Sequence, residues 1–150
     1  MSINANPLCR VATCLTLVVV ILAAATAQTT PKRPPLPSNL AKYVDQYPVE
    51  LMKVPAVKSR LKALLGKHYA DFVVSIDVQS PMKMVGDFLF ANGCMPHACT
   101  IMEAAFVIDV KNKRVHAVLY EKDKPPLYFS EDKAPTPQVL IDHVAELKAS

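Results

Sequence analysis

The stretch FLFANGCMPHACTIMEAAFVID, residues 88–109, sets two apolar runs of strand length on either side of a loop with two cysteines. Cys94 and Cys99 stand five positions apart and bracket Pro96 and His97. Upstream, Met82-Lys83-Met84-Val85 and Asp87-Phe88-Leu89-Phe90 read as one strand, or one broken at Gly86, that runs into the loop. Downstream, Ala104 to Ile108 is continuously apolar, Asn112 with its flanking lysines marks a turn, and Val115 to Tyr120 is a further strand. Pro125-Pro126 interrupts the pattern before a short Leu127-Tyr128-Phe129 strand. Short strands joined by tight turns predict an antiparallel sheet of about five strands.

Helical patterns flank this block. Ser38 caps a predicted short helix over Leu40 to Val44, stopped by Tyr47-Pro48. A second helix is predicted over Pro55 to Leu65, with Val57, Leu61, Leu64 and Leu65 at helical spacing and Gly66 as its stop. Lys58, Arg60, Lys62 and Lys67 are assigned to its wet faces. Phe72 to Val78 fits a strand or the end of a helix equally well by pattern. Near the end, Thr136 caps and Pro137 starts a helix with Val139, Leu140, His143, Val144 and Leu147 on one face. The expected fold class is α+β, with the helices of both chain ends packed on one face of the sheet and the cysteine loop protruding.

The N-terminus carries an address. A polar segment ends at Arg10, Val11 to Ala25 is free of charge, and Ala25-Thr26-Ala27 supplies a small-x-small cleavage site. An apolar run of about fifteen residues is short for a bilayer span of roughly twenty. Residues 1–27 are therefore predicted to be a signal peptide, residues 28–38 a proline-rich spacer and residues 39–150 a single domain. Cys9 and Cys14 precede or open the apolar run, whereas a lipid-attachment cysteine would follow it. With no second hydrophobic span, the expected product is soluble, exported and free of the membrane after cleavage. Removing Arg10 leaves 16 of the 17 basic residues against 13 acidic ones, a net charge of +3. That is too mild to predict a nucleic-acid partner.

Cleavage leaves Cys94 and Cys99 as the only cysteines, so an oxidising compartment pairs them with each other. A ring this small gains about 2 kcal/mol from chain entropy. It also stiffens Met95, Pro96, His97 and Ala98, so His97 is presented with little freedom left to lose on binding. An oxidised pair cannot act as a thiol nucleophile, and the C-x4-C spacing is not that of thioredoxin-like oxidants. If reduced, Cys94, His97 and Cys99 could ligate a metal with His116 or Glu103 as the fourth ligand, but export favours the disulfide. Asp87, Glu103, Asp109, Glu121, Glu131 and Asp132 form no catalytic motif and read as surface charge. No metal, cofactor or enzymatic activity is predicted. What remains is binding: a clamped imidazole, able to donate and accept, suits a narrow cleft that holds a carboxylate pair.

Cys94-Met95-Pro96-His97-Ala98-Cys99 resembles the C-K-P-H-D-C loop of the Ivy family, periplasmic inhibitors of vertebrate c-type lysozyme. The order of strands around it is similar too, so the resemblance extends over about Leu40 to Leu147 and is strongest from Asp87 to Tyr120. It implies a lysozyme inhibitor that plugs the active-site cleft with this loop. The key contact, a hydrogen bond to the catalytic carboxylates, then falls to His97, while Cys94 and Cys99 hold the loop and Pro96 shapes it. Two positions depart from the family pattern: its lysine is Met95 here and its aspartate is Ala98. Losing buried, paired charges at an interface commonly costs 2 kcal/mol or more. The alternative is therefore a periplasmic homologue that does not inhibit lysozyme and binds or controls lytic transglycosylases. The sequence is compatible with a homodimer.

Overall fold

The computed structural model describes residues 33–150, so the predicted signal peptide and residues 28–32 lie outside the described residues. The remaining spacer residues form no helix or strand, yet they are fastened: Leu36 packs against the core and the Arg33 guanidinium bonds the Asp132 carboxylate. A 3₁₀ turn at Ala41–Tyr43 replaces the predicted first helix, without a side-chain cap from Ser38. Pro48 does not stop a helix but starts one, α1 (Pro48–Met52), because a first-turn proline lacks only an N–H that would be unpaired anyway. The next helix, α2 (Pro55–Leu65), has the predicted bounds and ends on Gly66 at φ 53°.

After a 3₁₀ turn at Gly66–His68 comes α3 (Tyr69–Ser75), which resolves the strand-or-helix ambiguity. Phe72, Ser75 and Ile76 are buried at helical spacing, while Val73 and Val74 face solvent. Six strands follow: β1 (Val78–Gln79), β2 (Lys83–Val85), β3 (Phe88–Cys94), β4 (Met102–Asp109), β5 (Arg114–Glu121) and β6 (Leu127–Ser130). They form one antiparallel sheet in the order β1-β3-β4-β5-β6, with β2 also pairing β3. The predicted strand through Gly86 is instead a hairpin. Val85 pairs Phe88 across a two-residue turn, and Gly86 sits at φ 57° in its first central position, which glycine occupies without steric cost. β1 and β2 thus share one edge of the sheet, on opposite halves of β3.

After β6 and a 3₁₀ turn at Glu131–Lys133 the chain ends in α4 (Gln138–Lys148), with Pro137 as its N-cap and no side-chain cap from Thr136. The helices do not share a face. Leu89, Ala91, Ala104, Phe106, Ile108, Val115 and Ala117 point into the core built with α1, α2 and α3. Their alternates Phe90, Ala105, Val107, Val118 and Tyr120 pack with Leu140 and Val144 of α4 on the other side. The expectation of helices on one face is corrected accordingly. The physical sign is β4 itself: a strand wetted on one side alternates, whereas Ala104 to Ile108 is apolar throughout because both of its faces are covered.

Four charges assigned to the surface by sequence are buried: Arg60, Glu103, Asp109 and Glu131. Arg60 is 5% exposed and Glu131 7%; Arg60 Nε donates to Glu131 Oε1 at 2.9 Å and its Nη2 bonds Oε2. The same guanidinium donates to the Lys113 carbonyl at 2.7 Å, and Glu131 accepts the Val115 N–H at 2.8 Å. Asp109 closes the β4–β5 turn by accepting the Asn112 N–H at 2.8 Å and its amide at 2.7 Å. Burial raises the Asp109 carboxyl, but these bonds outweigh it and hold it below its ordinary value.

Candidate functional site

The cysteine loop joins β3 to β4 at one end of the sheet. Cys94, the last residue of β3, pairs with Glu103 of β4, and the Met95 N–H extends the ladder one step to the Met102 carbonyl at 2.9 Å. Cys94 and Cys99 are joined in a disulfide with Cα atoms 4.9 Å apart, within the range such a bond spans. Cys94 is buried in the sheet; Cys99 is exposed.

Inside the ring the Ala98 N–H donates to the Met95 carbonyl at 3.0 Å, closing a turn with Pro96 and His97 at its centre. Proline fixes the first central φ and His97 has φ 61°, the pattern of a type II turn. Glycine is the usual occupant of that second position. An L-residue there is costly, of order 1 kcal/mol, and such strain is retained where the residue serves a purpose. His97 stands exposed in that position. Pro96, Met95 and Ala98 are half-buried around it, so the imidazole is the ring's outward polar group.

A second turn carries the chain back to the sheet. The N–H groups of Ile101 and Met102 both donate to the Ala98 carbonyl, at 3.1 and 2.9 Å, and Thr100 has φ 68°. The Ile101 carbonyl accepts the Lys122 N–H at 2.8 Å, tying the base of the loop to the end of β5. The Thr100 N–H donates to Glu103 Oε1 at 2.9 Å.

The predicted ring residues Cys94, Met95, Pro96, His97, Ala98 and Cys99 are therefore brought together as one structural unit. His116, offered as a metal ligand, is not among them. It pairs with Val107 toward the opposite end of β4, and its Nδ1 is 2.9 Å from Ser130 Oγ. Glu103 does lie at the loop, but the sequence reading left it as surface charge or a fourth ligand. It is 7% exposed and faces α4, where its Oε2 stands 3.8 Å from His143 Nε2. Burial raises the Glu103 carboxyl, partly offset by the Thr100 N–H, and lowers the His143 imidazole. The available signal is a carboxylate at each end of the apolar Ala104–Ile108 run, within a strand covered on both faces.

A family model described as "Inhibitor of vertebrate lysozyme (Ivy)" matches residues 56–150, which is more than half of the chain. The chain belongs to the Ivy family. The matched residues contain nearly all of α2, the whole sheet, the loop and α4. Residues before 56, over which the sequence resemblance had been extended to Leu40, fall outside the match. No curated protein and no solved structure gives a match. Among the described residues of this Ivy-family chain, no helix is long and apolar enough to cross a membrane. Family membership supports lysozyme inhibition in general terms, with lysozyme as the kind of partner.

Proposed function

We propose that this chain is an exported, periplasmic and non-enzymatic inhibitor of a c-type lysozyme, and that it acts by inserting the Cys94–Cys99 loop into the active-site cleft. The observation that carries the reading is His97: exposed, at φ 61°, at the centre of a turn held by Pro96 and the disulfide. A glycosidase of this kind works with one protonated and one ionised carboxylate. A neutral imidazole can accept from the first and donate to the second. Holding it in one backbone geometry beforehand removes ordering cost from the association.

The test is lysis of a peptidoglycan suspension by c-type lysozyme, with and without the mature protein. Stoichiometric inhibition by wild type and its loss in His97→Ala supports the reading. Full potency in His97→Ala rejects a histidine-centred mechanism. Release of products from peptidoglycan by the purified protein alone would reject a non-enzymatic role.

A second reading rests on Met95 and Ala98, which remove two charges from the family's loop. In it the same ring binds a lytic transglycosylase, an enzyme that cleaves the same glycan backbone. A transglycosylase assayed in parallel separates the two targets. Inhibition of that enzyme alone moves the function to control of the cell's own wall.

A further inference from the structure

Thr100 is β-branched and held at φ 68°, a region such residues rarely occupy. It needs an external hold, and the side chain that reaches it is Glu103, through the 2.9 Å bond from the Thr100 N–H to Oε1. The other carboxylate oxygen faces His143 Nε2 at 3.8 Å. That nitrogen is buried and has no hydrogen-bond partner among the described residues. The ring itself is set edge-on against Phe90, with centroids 5.3 Å apart. Buried polar atoms are seldom left without a partner, and each one calls for a physical reason.

We propose that Glu103 is a positioning residue for the inhibitory loop: its carboxylate fixes the Thr100 end of the ring, and His143 on α4 backs the carboxylate. This rests on the reading that the loop is the inhibitory element. If protonated on Nε2, His143 presents a donor on the side of Glu103 Oε2, 3.8 Å away, and a proton on Glu103 leaves Thr100 a neutral acceptor in place of a charged one. Charged acceptors hold N–H groups roughly twice as strongly as neutral ones. Protonation of Glu103 therefore loosens the loop from beneath, without involving His97.

The groups facing the pair are few. Tyr120 of β5 pairs with Glu103 across the sheet, and β3 contributes Cys94, which as a disulfide does not titrate. Around His143, Glu146 of the same helix favours the imidazolium and Lys83 of β2 opposes it.

The decisive readout is the Thr100 amide of the free, full mature protein, followed by ¹⁵N–¹H NMR and hydrogen exchange. In wild type its shift titrates with Glu103; in Glu103→Gln, which keeps the shape and an acceptor, that titration disappears. Glu103→Ala lowers Thr100 protection by about tenfold while amides of α2 and β5 keep theirs, and it weakens lysozyme inhibition by about tenfold. Thr100 protection within about twofold of wild type in Glu103→Ala overturns the proposal. So does lost protection with unchanged inhibition. If Glu103→Ala does not fold, the Glu103→Gln titration decides. A wild type that inhibits no lysozyme overturns the inhibitory reading, while the Thr100 readout on free protein decides the positioning role on its own.

Discussion

Arg60 of α2 and Glu131, just after β6, form a buried ion pair across 71 residues of sequence. It fastens the first helical layer to the far edge of the sheet, and the Lys113 carbonyl and Val115 N–H complete its hydrogen bonding. Removing one partner strands the other charge in a buried site. Arg60→Ala is expected to lower stability by about 3–5 kcal/mol. Replacing both, as Arg60→Met with Glu131→Met, is expected to cost less than the single change. Urea denaturation of Arg60→Met, Glu131→Met and the double variant checks this; additive losses would show that the pair has no coupling.

His97 carries a backbone prediction that separates folding from binding. His97→Gly relieves the left-handed strain but loosens the unfolded chain, so its stability should stay within about 1 kcal/mol of wild type. His97→Ala keeps the strain and loses the imidazole. Both should weaken inhibition by at least tenfold or so, the cost of losing a central anchor. Thermal unfolding paired with an inhibition titration tests it, and a destabilised His97→Gly would mean that the φ of 61° is not strained.

Gly93 of β3 has no room for a side chain. A Cβ there would sit 2.7 Å from the carbonyl oxygens of both Ile76 and Val78, and neither backbone can withdraw without unpairing β1. Gly93→Ala is expected to cost about 1–3 kcal/mol. Amide exchange should rise at Gln79 and Ser80, whose N–H donates to the Asn92 carbonyl at 3.1 Å. Unchanged exchange along β1 would contradict the close approach.

Acid should destabilise the protein through its buried histidines. Burial lowers both His116 and His143, so the unfolded chain takes up protons first. Their contribution is whole above the unfolded histidine value of about 6.5 and is lost as pH falls below it. Glu103 acts with the opposite sign: burial raises it, so its contribution is present at low pH and is lost as pH rises through its folded value. Denaturation midpoints between pH 7 and pH 4 should show a fall that shrinks in His143→Phe and grows in Glu103→Gln.

Much of this was legible before the structure. The bounds of α2 follow from Pro55 and Gly66, and β4 and β5 follow from their apolar runs. The ring was legible because cysteine spacing and the expected removal of Cys9 and Cys14 with a signal peptide leave one pairing. The Gly86 hairpin was missed because a glycine between two apolar runs reads equally as a break, and only the pairing of Val85 with Phe88 decides. The placement of α4 was missed although the unbroken Ala104–Ile108 run already signalled a strand covered on both sides. Arg60, Glu131 and Glu103 were missed for another reason. A charge is read as wet by default, and its burial depends on a partner that no local pattern reveals.

The loop is fastened to the sheet mostly through main-chain groups, Met95 to Met102 and Lys122 to Ile101. Side chains at 95 and 98 contribute nothing to these bonds. Substitution at Met95 or Ala98 therefore leaves the loop's main-chain hydrogen bonds in place. The main-chain bonds that anchor the loop are independent of which side chains stand at 95 and 98.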